Sequence, residues 1–573
     1  MTSNSAFRRS DQLVVLALAV VGQGLYMLFP MLIECDATMF LNYGRFFVTG
    51  EGLYPIRPPG FPAFLALTIL PFDSLWVTMG LHGLFGVMMP WLLYRTLAPF
   101  HRWLALAAVI AYVWSTLPFS TAKMLLSDQL FMILLIASVY ASSRFYWTQR
   151  SRYVYGAILF AFAAWLTRWE GVFLLIATVV NVGIMHRPIL PRLRPIVISL
   201  AICATVAAGW SVMRARALDD PRLIGSVSNG NGLQLMFRTY FFMPGGLLDW
   251  ERFVLKTRDK NDTTGLITHF YPDPPGYFGV RVVEPSNGPE SQRLHRLIME
   301  ETAARPEIYR SLKPSLDGAY QDPTKPRVDY YWQVFGRFDG NPRGIADSFF
   351  ERPNPFILDY MWNRLQDRFG LAEADRLYRN AAIEGVMSHP TALIFLIRDV
   401  LTFFGIEMRG VLVGQGSPWL FHLKVRANYY ATPFNIGNCA QDHLTPRMWN
   451  EYSADHAVMG NLVLVKRLHE LADYYGRNLV HIGLGLLALA TWWVLPFGVH
   501  RRFFLFLPVV ALGIMATTAM GVGGGIYNRY QAPPHPFVLM ATVGALLTLG
   551  TWAAGIWRRI QGRRQTSEAV RAD

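Results

Sequence analysis

Residues 33–62 read IECDATMFLNYGRFFVTGEGLYPIRPPGFP, and the rest of the chain is organised around them. An apolar segment, residues 13–33, leads in, and two carboxylates separated by one residue follow, Glu34 and Asp36. After an amphipathic run over 37–48 come Gly50, Gly52 and Pro58-Pro59-Gly60-Phe61-Pro62. That cluster stops any helix and turns the chain back. Acids placed where a membrane helix meets water are costly and usually have a task. They can also do no more than mark the helix end at the headgroups, because charged helix ends are ordinary. Spacing alone leaves both readings open.

Composition places the stretch in a membrane. The chain has 573 residues, of which 52% are hydrophobic, 14% aromatic and only 16% charged. A soluble domain carries roughly 25% charged residues. Apolar runs long enough to span a bilayer recur near 12–33, 76–94, 102–118, 127–143, 154–167, 171–185, 196–213, 478–498, 503–522 and 532–556. The fold expected is mostly α, a polytopic membrane protein with about ten transmembrane helices and a mixed extracytoplasmic domain.

The net charge of +14 is explained by where it sits. Arg8 and Arg9, Arg95 and Arg102, residues 144–152 and 187–194, Arg501 and Arg502, and residues 558–564 all fall between or outside apolar runs. Counting spans puts every cluster on one side, and the internal basic loops contain no Asp or Glu. That is the positive-inside pattern, with both termini in the cytoplasm. No nucleic-acid partner is needed to account for the charge. The first span lacks a small-residue cleavage site behind it and reads as an uncleaved anchor. Three cysteines are too few for a disulfide framework. Cys203 lies in an apolar run, while Cys35 and Cys439 fall on the outer side, where an oxidising compartment permits one bridge.

Between the two short runs near 154–185 lies Thr167-Arg168-Trp169-Glu170-Gly171, too polar for the bilayer centre unless protein or water surrounds it. It is expected to be an outward-facing turn; the alternative is one long helix with a buried Arg168–Glu170 pair. From 214 to 477 charges of both signs, prolines and aromatics interleave, and by parity this segment is outside and large enough for its own core. Within it, residues 389–404 (HPTALIFLIRDVLTFF) read as an interfacial or domain-packed helix, since Arg398 and Asp399 interrupt the run. The chain is therefore expected to divide into an N-terminal transmembrane module (1–213, with a first outer loop at 34–75), an extracytoplasmic domain (214–477), and a C-terminal transmembrane module with a basic tail (478–573).

Parity gathers Glu34, Asp36, Glu51, Arg57, Asp73, Lys123, Asp128, Arg168, Glu170 and Arg529 at one membrane face. Carboxylates there can act as general base toward an acceptor, and single cations can stabilise the charge of a phosphate leaving group. Each also has a structural role open to it. Asp128 can cap its helix after Ser127, Arg168 can pair with Glu170 at a turn, and Arg529 and Tyr530 can anchor at the interface. There is no P-loop, no HExxH and no Cys/His array at metal-binding spacing. The run GVGGG at 521–525 sits at a helix end rather than after a strand. His82, His481 and His535 stand singly.

Residues 33–62 resemble the first outer loop of the GT-C superfamily of membrane glycosyltransferases, which includes protein O-mannosyltransferases and lipid A aminoarabinose transferases. The resemblance rests on Glu34-Cys35-Asp36, Tyr43, Gly50-Glu51-Gly52-Leu53 and Pro58-Pro59-Gly60-Phe61-Pro62. Three further stretches are similar to the family. Leu126-Ser127-Asp128 matches the head of its fourth span, and Thr167-Arg168-Trp169-Glu170-Gly171 its T-R-P-E-G turn with Trp169 for Pro. Arg529-Tyr530-Gln531-Ala532-Pro533 matches its R-Y-x-x-P. The resemblance implies inverting transfer of a sugar from a polyprenyl-phosphate donor to an acceptor hydroxyl on a glycan, lipid or protein. The reaction would lie at the outer face of a bacterial inner membrane. It implies Asp36 as general base, Glu34 as its modulator and Asp128 as a second acid of the site. Arg57, Lys123, Arg168, Glu170, Arg529 and Tyr530 would form the lipid-phosphate region. No cofactor is required; a divalent cation, if one takes part, belongs at Glu34 and Asp36. A transporter or flippase of lipid-linked sugars and a non-catalytic envelope scaffold are the rival classes. The first predicts paired halves with broken helices, which the sequence lacks, and the second leaves the four motifs unexplained.

Overall fold

The computed structural model describes residues 9–28, 31, 33, 35–53, 57–114, 121, 123–185, 190–224, 232, 235, 287–304, 357–388, 444–459, 492–498, 500–522 and 532–572. It is mostly helical. The N-terminal part holds α1 (Arg9–Met27), α2 (Cys35–Thr49), α3 (Gly60–Thr68), α4 (Leu75–Leu97), α5 (Arg102–Trp114), α6 (Asp128–Thr148), α7 (Ser151–Thr167), α8 (Gly171–Ile184) and α9 (Leu190–Ala217). In the middle segment are α10 (Pro289–Ala304), α11 (Ile357–Phe369), α12 (Leu371–Ser388) and α13 (Pro446–Met459). A 3-10 turn (Leu495–Phe497), α14 (Arg501–Phe504), α15 (Phe506–Val522) and α16 (His535–Ala572) follow.

Six stretches are long and apolar enough to cross a bilayer: Arg9–Met27, Leu75–Leu97, Asp128–Thr148, Leu193–Ala217, Arg501–Thr518 and His535–Gln561. Their outer faces leave Leu13, Leu16, Val20, Val197, Ile202 and Val206 exposed, an apolar surface that lipid would cover. The chain has the build of a helical membrane protein. Six of the ten expected spans are met among the described residues; the full count is not confirmed. Arg102–Val113 and Gly171–Ile184 are apolar but short. With 17 residues, α7 extends only about 26 Å at 1.5 Å per residue. Counting apolar runs credits each with a full crossing, whereas a helix ends where turn residues end it. The run expected at 478–498 lies outside the described residues as far as 491.

One core unites the bundle, with Val15, Leu93, Tyr112, Phe131, Leu174, Phe503 and Phe537 fully buried in it. At one end Arg102 donates to Asp11 of α1, to Oδ1 at 2.6 Å through Nη2, and the Tyr94 hydroxyl donates to Oδ2 at 2.9 Å. Phe100 packs there on Tyr146, His500 and Phe503. The ends of α4, α6 and the 500–504 turn therefore meet, and they bring Arg95, Arg102, Arg501 and Arg502 to one end, as the loop charges require. Asp11 was not foreseen as the acid among them.

The described parts of 214–477 are helical, not mixed. Arg293 of α10 donates to Glu373 of α12 at 2.7 Å, and Arg376 donates to Glu290 at 2.8 Å. Glu384 accepts the first backbone N–H groups of α10, from Glu290 at 3.1 Å and Ser291 at 2.7 Å. A carboxylate at a helix N-terminus meets both the unpaired donors and the positive end of the dipole. The helix expected at 389–404 lies outside the described residues.

Candidate functional site

The site is built on the turn between α7 and α8. Thr167 closes α7, Arg168 is extended (φ −146, ψ 137), and Trp169 and Glu170 form the turn. The expected turn is present, and one continuous helix is excluded. Gly171 opens α8 because nothing larger fits: a Cβ there would lie 2.5 Å from Trp165 N. The extended backbone at Arg168 carries its guanidinium off the helix axis toward α6. Nη1 donates to Asp128 Oδ1 at 2.9 Å and Nη2 to Glu170 Oε1 at 2.9 Å, with Nε at 3.4 Å from Oε2. Both acids are buried, with side chains 2% and 8% exposed, and the arginine is 16% exposed. Burial pushes the Glu170 carboxyl up, but the Arg168 charge and hydrogen bonds outweigh it, and Arg57 adds to the pull. The group is held below its ordinary value. Asp128 occupies the first turn of α6 but binds Arg168. Ser127 makes no capping bond, so the capping reading of this pair gives way to an ion pair across helices.

The proline cluster delivers Arg57 to this turn. Helix α3 begins at Gly60, whose missing side chain lets its backbone touch the end of α7. A Cβ would fall 2.7 Å from the Leu166 carbonyl oxygen and 2.9 Å from Thr167 N. Arg57 just ahead lies over the Phe40 ring, 5.6 Å from its centre, and Phe40 stacks edge-on against Phe61 at 5.1 Å. Asp36 stands one helical turn before Phe40 on α2, about 6 Å along the axis. It lies in the first turn of that helix, where the dipole favours a negative charge. Gly60→Ala is therefore expected to push α3 from α7 and cost about 1–3 kcal/mol, the usual range for overpacking. A thermal melt in detergent checks this; an unchanged midpoint would mean the close approach is not there.

A second group ties α13 to the first loop. Lys123 Nζ donates to Asp455 Oδ1 at 2.5 Å and to the Met27 carbonyl at 3.2 Å, and Asp455 Oδ2 accepts the Met31 N–H at 2.6 Å. Both side chains are buried, at 2% and 0% exposed. Burial holds the Lys123 amine below its ordinary value even with Asp455 beside it. Glu451 accepts Ser74 Oγ and Leu75 N, each at 2.8 Å, which caps α4. Thr445 Oγ1 donates to Asp73 at 2.7 Å. Around these ties Leu444, Met448 and Tyr452 share a core with Ile33, Phe40, Phe61 and Leu125. Part of the 214–477 segment, residues 444–459, is thus packed into the first loop.

Of the residues named from sequence, Arg57, Asp128, Arg168 and Glu170 come together, and Lys123 is engaged by Asp455. Tyr43 is buried beside Trp210, with rings 6.0 Å apart. Glu34, Arg529, Tyr530 and Cys439 lie outside the described residues, and of Asp36 and Cys35 only the backbone is described. Among the described residues no group of three His, Cys, Asp or Glu is placed to hold a metal. Sequence reasoning missed Asp455 and Glu451; their spacing of four, which puts both on one helix face, was the available signal. No protein-family model matches the chain, and no curated protein matches it either.

Proposed function

We propose that the chain is an inverting, GT-C-like glycosyltransferase that moves a sugar from a polyprenyl-phosphate donor to an acceptor hydroxyl. In this reading the Asp36 carboxylate takes the hydroxyl proton while the acceptor oxygen attacks the anomeric carbon opposite the phosphate. The carbon–oxygen bond to phosphate breaks, its electron pair leaves on polyprenyl phosphate, and the anomeric configuration inverts. Arg57 and Arg529 bind the departing phosphate, with Arg168 oriented by Asp128 and Glu170; Glu34 modulates the base. No cofactor is needed for this, and a divalent cation is assigned only to Glu34 and Asp36. The reaction is assigned to the periplasmic face of a bacterial inner membrane, with about ten spans and the 214–477 segment outside, where a glycan, lipid or protein acceptor is selected.

The observation that supports this reading most is the convergence of Arg57, which lies over Phe40 of α2, with the Asp128–Arg168–Glu170 group. Two partly buried arginines bracketed by acids suit an anionic leaving group, and the first turn of α2 suits a negatively charged base. The probe is undecaprenyl phosphate, the part common to such donors. Arg57→Gln and Arg529→Ala should each weaken its binding by about ten- to a hundred-fold, the worth of a charge-assisted phosphate contact. Wild-type affinity in both variants would move the phosphate elsewhere and remove the reading. Orientation is tested separately by single cysteines at 194 and 262, which should label from opposite sides of the membrane; labelling from one side would overturn the topology.

A further inference from the structure

At the basic end of the bundle, Phe100, the turn before α14, and α16 enclose a cavity of about 180 Å³. It is too small for a drug-sized molecule, which needs roughly 300–1,000 Å³, and suits a headgroup-sized fragment. Arg501 and His500 form its polar side, and Leu495, Phe504 and Leu547 its apolar walls. No carboxylate lines it. Other arginines at this end are engaged: Arg102 by Asp11, and Arg502 by the Met185 carbonyl at 3.4 Å. Arg501 has no ion-pair partner among the described residues. The Thr548 and Thr551 hydroxyls donate to backbone carbonyls at 2.9 and 2.7 Å, which leaves Arg501 as the permanently charged residue among those lining the space. Beside the cavity Phe497 and Trp552 pack at 6.0 Å and remain exposed, as does Trp493. Exposed aromatics with arginine are the composition of a membrane interface.

We propose that this cavity holds the phosphodiester headgroup of an anionic glycerophospholipid, with Arg501 on the phosphate and the chains running along Phe497 and Trp552. One cation is matched to a monoanionic diester, and the apolar walls suit the glycerol and first methylenes. A free phosphate dianion would meet one guanidinium and a largely apolar surround, a poor exchange for its hydration. Basic pockets between transmembrane helices recognise lipid headgroups by this combination. The site lies at the end of the bundle away from Arg168 and is independent of the proposed transfer.

The test uses the full chain, stripped of lipid in neutral detergent, with dihexanoyl phosphatidylglycerol as probe and native mass spectrometry as readout. One equivalent should bind in preference to dihexanoyl phosphatidylcholine. Arg501→Gln, which removes the donor, and Thr551→Phe, which fills the space and leaves the charge, should each weaken binding by about ten-fold or more. Arg558→Gln, outside the cavity on exposed α16, should change it by less than about five-fold, the scale of general surface attraction. Equal losses from Arg501→Gln and Arg558→Gln would mean surface charge alone, and wild-type binding by Thr551→Phe would empty the cavity of its role. Inorganic phosphate is the competing arm: if it binds as tightly as the lipid probe, the lipid assignment falls.

Discussion

Lys123→Met should unfold at a clearly lower temperature than the wild-type protein, by an amount corresponding to about 3–5 kcal/mol, the usual cost of breaking a buried ion pair from one side. The variant keeps the side chain's length but leaves the fully buried Asp455 with only the Met31 N–H at 2.6 Å. An uncompensated carboxylate in that core must draw in water or a proton, and either loosens α13. Lys123→Met combined with Asp455→Leu should recover much of the loss, because apolar residues tolerate burial that a lone charge does not. Recovery stays incomplete since the Met31 N–H then lacks its acceptor, worth about 1–3 kcal/mol. Thermal melts of the three proteins, with limited proteolysis after residue 459, measure both effects. A single variant as stable as wild type would place this pair in water.

On the proposed transfer mechanism, Asp36→Asn should lower sugar transfer by about a hundred-fold or more while undecaprenyl phosphate still binds, the upper part of the range for general-base catalysis. Its position in the first turn of α2 is one where the helix dipole favours a negative charge. The amide is close in size and cannot accept the proton. Glu34→Gln should lose less. Single-turnover transfer from purified carrier in nanodiscs, with both variants checked for folding, separates the roles. A dead Glu34→Gln beside a near-normal Asp36→Asn exchanges them, and near-normal turnover in both removes the transfer mechanism.

Local features of the fold were legible in sequence where a short stretch contained the whole physical conflict. Thr167–Gly171 is such a stretch: charges inside an apolar run force a turn, and the turn is there. The shared end of the basic loops was legible too, because loop charge follows helix order. What acts at a distance was not. Arg168 has a carboxylate two residues on, so the pair with Glu170 could be anticipated, but Asp128 lies 40 residues away and its pairing depends on how α6 meets α7. Lys123 looked like any cation near a helix start, since its partner is 332 residues later. Six of the ten expected spans are long apolar helices among the described residues, and the remainder were hard to read for a related reason. Hydropathy records that α5 and α8 are apolar but not where they begin and end, and the start of α8 at Gly171 is fixed by its contact with Trp165.

The docking of α13 has a consequence for synthesis. The Met31 N–H waits for a carboxylate 424 residues further along the chain. At about 5–20 residues per second, the ribosome needs roughly 20–85 s between them. Once made, the Lys123 ammonium waits for the Asp455 carboxylate, and the core at the first loop stays open where Leu444, Met448 and Tyr452 will insert. The two ends of a long translation product must therefore find each other before the loop is complete. A ribosome that stalls before Asp455 would release a protein with its first helices in place and that loop still unfinished.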